Sequence, residues 1–150
     1  MTGDKFCLRW NDFEQSVSRS FVDFRDENDF LDVTLACEEE QIQAHKVILS
    51  ACSSFFKNIL KRNQHQHPLL YLKGIKYSDL ASILTFMYLG EVNVAQENLT
   101  NFLSVAEDLQ VKAKILTGFL EIIRHLFWLK CYNSKLVKLN LILLFNHTHN

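Results

Sequence analysis

His65 and His67 stand one residue apart directly before Pro68, and His147 and His149 repeat that spacing near the C-terminus. These are the residues best spaced to ligate a metal ion. A structural zinc site takes four ligands at fixed spacing, usually with paired cysteines. Cys7, Cys37, Cys52 and Cys131 are widely separated, and no Cys-x-x-Cys occurs. The histidines therefore read as solvated loop residues, and no metal is expected. Nucleophilic chemistry is the other option, because Cys52 lies among Ser50, Ser53 and Ser54 and follows His45. A reactive thiol needs exposure and a depressed pKa. Ala51-Cys52-Ser53 in a short apolar helix reads instead as a packed thiol. His45, between a strand and a helix, reads as a structural hydrogen-bonding group rather than a base. Gly3, Gly74, Gly90 and Gly118 are not clustered, so no phosphate-cradling loop is recognisable. No enzyme activity and no cofactor are expected.

The composition agrees with a soluble globular domain: 48% of residues are apolar and 22% charged. A chain of 150 residues is long enough for one domain with a usable core. The net charge of −1 provides no general attraction to nucleic acid, which rests on an excess of Lys and Arg. The charge is uneven. Residues 117–150 carry Arg124, Lys130, Lys135 and Lys138 against Glu121, a net of +3, which leaves −4 on the remainder. Asp4, Lys5, Arg9 and Asp12 interrupt any apolar run near the N-terminus, so no export signal is expected. Reduced, buried thiols in a cytosolic or nuclear protein follow from that reading.

The elements that must position these residues can be read from periodicity. Phe6, Leu8 and Trp10 alternate with Cys7 and Arg9, as in a short strand. Asn11 with Glu14 three residues on suggests a capping box. Phe13, Val17, Phe21 and Phe24 then form one apolar helical stripe. Residues 32–37 and 41–44 read as two short strands joined at Glu38-Glu39-Glu40. Residues 46–51 and 54–60 read as two short helices, and residues 69–72 as a further strand. The clearest helix covers residues 78–89, with Ser78 as cap and Gly90 as stop. Leu80, Ile83, Leu84, Met87 and Tyr88 line one face of it. Residues 91–94 suggest a brief strand, and Leu99, Phe102, Leu103, Ala106 and Leu109 one more helix. The fold class is α+β: a helix cluster flanked by a short, mostly three-stranded sheet.

Six sequence signatures give a family resemblance. They are Phe6-Cys7-Leu8-Arg9-Trp10-Asn11, Leu31-Asp32-Val33-Thr34-Leu35, the run from Ala44-His45-Lys46 to Cys52-Ser53, His67-Pro68, Tyr88-Leu89-Gly90-Glu91-Val92-Asn93, and Ala106-Glu107-Asp108-Leu109-Gln110-Val111-Lys112. In this order the chain resembles a BTB/POZ domain of the insect Tramtrack, Bric-a-brac and Lola group. The resemblance implies a homodimer with an exchanged N-terminal strand. Phe6, Leu8, Trp10, Phe13, Val17 and Phe21 would then form the dimer interface. It also implies that Asp32 and Lys46 occupy the charged pocket near the dimer centre. The group commonly has Asn-Asn-His after the Trp, where this chain has Asn11-Asp12-Phe13. That difference bears on any assembly larger than a dimer.

The implied function is protein–protein interaction within a family of transcription regulators, in the nucleus. The expected partners are the chain itself, as a homodimer or larger, related BTB proteins, and co-regulators. Relatives usually carry a DNA-binding region after the domain. Here neither Cys2His2 spacing nor a basic stripe is found, so direct nucleic-acid binding is not expected. The alternative is a cullin-3 ubiquitin-ligase adaptor. Such adaptors usually show a hydrophobic-x-Glu element after the helix at residues 54–60. The corresponding loop, Lys61-Arg62-Asn63-Gln64-His65-Gln66-His67, has no glutamate.

Residues 1–116 are read as the domain and residues 117–150 as an apolar tail. The usual Lys-Gly-Leu ending is replaced by Lys112-Ala113-Lys114-Ile115-Leu116. The apolar runs at residues 119–129 and 136–145 are shorter than the ~20 residues that span a bilayer, so no membrane helix is expected. One reading of the tail is an extra helix docked on the domain. The other, which the composition favours, is a product of alternative splicing or read-through, because its Leu, Ile, Phe, Lys and Asn residues suit AT-rich codons.

Overall fold

The computed structural model describes residues 3–112. The expectations for residues 117–150, and those for Cys131, His147 and His149, lie outside the described residues.

The sheet is organised around β1 (Val33–Cys37), whose five residues are all buried. It pairs antiparallel with β2 (Glu40–Ala44) and parallel with β3 (Leu69–Tyr71), in the order β2-β1-β3. Val33, Leu35 and Cys37 are fully buried, and Thr34 and Ala36 on the opposite face nearly so. A strand covered on both faces can be apolar throughout, and this one nearly is. The turn between β1 and β2 places Glu38 at φ 52, as a tight hairpin tip requires.

Five helices accompany the sheet among the described residues. The first, α1 (Phe13–Asp26), precedes it. The short pair α2 (Lys46–Cys52) and α3 (Ser54–Arg62) joins β2 to β3. Ser53 separates the pair, with extended backbone and no exposed surface. Its hydroxyl accepts the Phe56 N–H at 3.1 Å and donates to the Leu109 carbonyl at 2.5 Å. One side chain thus caps α3 and ties it to the end of the described chain, where Ser53 also bridges Val111.

The central helix is α4 (Tyr77–Leu89). Leu80, Ile83, Leu84, Met87 and Tyr88 are buried, as their spacing predicts. Gly90 ends it in the left-handed region at φ 75, which costs glycine little. A short 3-10 turn (Gln96–Asn98) leads into α5 (Leu99–Asp108), which buries Phe102, Leu103, Val105 and Ala106.

Two local expectations are corrected. Helix α1 begins at Phe13, and its N-cap residue Asp12, rather than Asn11, makes no side-chain cap bond. Backbone bonds close that first turn: Phe13 N–H to the Trp10 carbonyl at 3.4 Å and Ser16 N–H to the Asp12 carbonyl at 2.9 Å. Helix α4 begins one residue before Ser78. Its Tyr77 N–H is met at 3.4 Å by the Glu38 carboxylate from the hairpin tip, so a distant side chain takes the capping role. Residues 6–10 and 91–94 take no ladder partner among the described residues. A strand exists only when its backbone groups find such a partner, and the partner that the resemblance implies for residues 6–10 is a second copy.

Candidate functional site

The sequence-predicted interface residues divide into two sets. Phe6, Leu8 and Trp10 are 87%, 93% and 63% exposed. Phe13 and Val17, at the start of α1, are 52% and 37% exposed. Trp10 and Phe13 meet edge to face with ring centroids 5.4 Å apart, so the incoming segment and the helix share one apolar corner. Phe21 belongs to the other set. A four-residue step advances about 40° around a helix, so Phe21 has turned roughly 80° from Phe13. It is half-buried, and its ring packs edge-on against His45 at 5.7 Å.

Covering a side chain of this size contributes roughly 1.5–3 kcal/mol. A cluster of Phe, Leu and Trp left facing water is therefore a feature that calls for a partner surface.

The structure places Asp32 and Lys46 next to each other, but their side-chain charges do not carry the contact. Asp32 Oδ1 accepts the backbone N–H of Lys46 at 2.7 Å. The Lys46 ammonium donates instead to the carbonyls of His65, at 2.7 Å, and Gln66, at 2.9 Å. Asp32 thus caps α2, whose own N-cap residue His45 makes no side-chain cap bond. Lys46 clamps the loop that follows α3.

His45 is buried and fully engaged. Its Nε2 lies 2.8 Å from the Asp29 carbonyl, which fixes the proton on that nitrogen. Its Nδ1 then accepts from the Tyr88 hydroxyl at 2.6 Å, and the same hydroxyl accepts the His45 backbone N–H at 2.9 Å. Burial pushes the Tyr88 phenol above its usual pKa, and the His45 backbone bond and the nearby Arg25 offset only part of this. The Arg25 guanidinium lies over the Tyr88 ring, 5.0 Å from its centroid.

This arrangement occupies both nitrogens of His45, so His45 is not free to pair with Cys52. Burial raises the Cys52 thiol pKa, Lys112 offsets only part of this, and the thiol donates to the Met87 carbonyl at 3.5 Å. Burial and the donated bond both favour the protonated thiol, opposite to what activates a nucleophile. His65 Nδ1 accepts the His67 N–H at 3.1 Å, and His67 Nε2 is bonded to Thr34 Oγ1 at 2.9 Å. Among the described residues no three His, Cys, Asp or Glu side chains are grouped to share a metal ion. Sequence alone gives Arg25 no role, and it shows Tyr88 and Ser53 only as members of two family signatures and, for Tyr88, as an apolar position of α4.

The BTB/POZ domain family matches residues 21–120. The chain is 51% identical over 113 residues to the Longitudinals lacking protein-like of Drosophila melanogaster, covering 75% of this chain and 89% of that protein. It is 50% identical over 107 residues to the Drosophila melanogaster protein abrupt, covering 71% of this chain. Over 112 residues it is 46% identical to the tramtrack alpha isoform of the same organism, covering 75% of this chain. Those two matches span only 12% and 14% of the relatives' lengths. Among solved structures, the BTB domain of zebrafish PATZ1 superposes with a TM-score of 0.65 at 22% identity, covering 82% of this chain and 98% of that one. The chain belongs to the BTB/POZ family. Its relatives fall in the Tramtrack, Bric-a-brac and Lola-like group, and its class is that of the protein–protein interaction domains.

Proposed function

We propose that this domain associates with itself and with related BTB proteins, as part of a family of nuclear transcription regulators, without reading DNA directly. The observation that carries the reading is the exposure of Phe6, Leu8, Trp10, Phe13 and Val17 along the N-terminal segment and the start of α1. Two strand-like segments without ladder partners support it further. Residues 6–10 alternate apolar and polar side chains. Val92 and Val94 are half-buried, and Glu91 and Asn93 between and beside them are exposed. In a two-fold dimer each segment would be the other's partner, residues 6–10 of one copy beside residues 91–94 of its mate. The α1 face would then pack on its symmetry equivalent. Asp32 and Lys46 would lie close to the dimer centre. Residues 1–116 would act as the interaction unit, with residues 117–150 appended to it.

Light scattering on a sizing column, with and without residues 117–150, gives the test. A dimer or larger is expected in both forms, and Leu8→Lys with Trp10→Lys is expected to reduce the mass. A wild-type monomer at every concentration would overturn the reading. Co-expression with the tramtrack BTB domain tests mixed pairing, and failure to co-purify would remove that half.

A further inference from the structure

Helix α1 carries the exposed face, yet it has no buried residue of its own. Its principal packing partner is α4. Two of its half-buried side chains reach across to the body of the domain. Phe21 lies against His45, and Arg25 lies over the Tyr88 ring. The turn after α1 is pinned where the Asp29 carbonyl accepts from His45 Nε2. Each contact ends on the same buried pair, His45 and Tyr88, which are bonded to each other at 2.6 Å. Such an element sits at the low end of local stability, because it has few buried apolar contacts to lose on opening. The sheet is different: β1 is covered on both faces and cannot open without the core.

We propose that Arg25 is a positioning residue for the interaction face: with Phe21 it clips α1 onto the His45–Tyr88 pair, and α1 opens from the body when the clip is lost. The inference rests on the self-association proposed above. A partner that recognises docked α1 binds more weakly in proportion to the fraction of chains in which α1 is docked. Each two-fold dimer contains the clip twice, so any loss per clip acts as its square.

The experiment is hydrogen exchange read by mass spectrometry on the full chain, comparing α1 peptides with β1 peptides. In the wild type, α1 amides exchange faster than β1 amides. Arg25→Met keeps length and apolar contact but removes the cation. It should speed α1 exchange by about two- to fivefold, the worth of one cation–π contact, and leave β1 unchanged. Arg25→Lys should restore most of the protection. The dimer dissociation constant of Arg25→Met should rise, by at most about five- to twentyfold, the square of the loss per clip. Equal exchange of α1 and β1 in the wild type, or no acceleration in Arg25→Met, overturns the clip. Acceleration of α1 with an unchanged dissociation constant overturns its positioning role. A monomeric wild type defeats the self-association reading alone, and the α1-to-β1 comparison still decides the clip.

Discussion

Asp32 Oδ1 accepts the backbone N–H of Lys46 at 2.7 Å, while the Lys46 ammonium reaches the His65 and Gln66 carbonyls. Two opposite charges that the resemblance assigns to one charged pocket serve here as a helix cap and a loop clamp. The carboxylate faces the amino end of α2, where a negative group is favoured by the helix dipole as well as by the hydrogen bond.

The cap predicts a graded response. Asp32→Asn retains an oxygen that can accept the Lys46 N–H, so it should lower stability by less than about 1 kcal/mol. Asp32→Ala should lower it by about 1–2 kcal/mol. Urea denaturation of both variants checks this. Equal losses would show that the charge, rather than the acceptor, matters.

Tyr88→Phe removes the hydroxyl that serves both His45 Nδ1 and the His45 backbone N–H. Both groups are buried and would lose their partner. The expected loss is roughly 2–4 kcal/mol, since an unsatisfied buried polar group costs about 1–3 kcal/mol. A loss below about 1 kcal/mol in denaturant titration would mean that the two His45 groups find another partner.

Ser53→Ala removes the cap of α3 and the bond to the Leu109 carbonyl in one change. About 2–3 kcal/mol should be lost. The residues that meet Ser53 and its neighbours are also tied by Lys112 N–H to the Cys52 carbonyl at 2.8 Å and by Ser54 Oγ to Gln110 Oε1 at 2.8 Å. Hydrogen exchange at residues 109–112 should therefore rise with the substitution, and unchanged protection there would contradict the assignment.

Stability should fall in alkali. Burial raises the Tyr88 phenol above its usual value of 10.0 and the Cys37 and Cys52 thiols above 9.0, with Glu38 and Glu40 adding to the effect at Cys37. Below the unfolded-state values both states hold these protons, and the stabilisation is complete. As pH rises past those values the unfolded chain releases its protons first, and the contribution is lost through the folded pKa values. Denaturation midpoints should decline above about pH 9, and the part due to Tyr88 should disappear in Tyr88→Phe. A flat profile up to about pH 11 would refute the shifts.

Much of the fold was legible in the sequence because local periodicity reports which face an element buries. The i, i+3, i+4, i+7, i+8 positions of α4 are the buried ones, and Gly90 stops the helix where expected. The acidic hairpin tip and both short helices also lie where pattern and turn chemistry put them. The stripe on α1 was legible as a stripe, but the sequence did not show that Phe21 turns inward while Phe13 and Val17 face out. That division depends on where the His45 ring lies.

The sequence by itself determined the order of α1 to α5 and β1 to β3, the α+β class, the family and the apolar character of the N-terminal segment. Those properties are written in neighbouring residues, a few positions apart. Only the tertiary structure decided which groups meet across long separations: Lys46 with the loop after α3, Glu38 with the start of α4, Ser53 with Leu109, and Arg25 with Tyr88. Polar side chains can satisfy their hydrogen bonds in several local ways, and the choice among them is made only when packing brings a distant donor or acceptor within reach. Strand formation has the same character. Residues 6–10 have the alternation of a strand, but a ladder needs a second backbone, and the sequence of one segment cannot say which backbone that is.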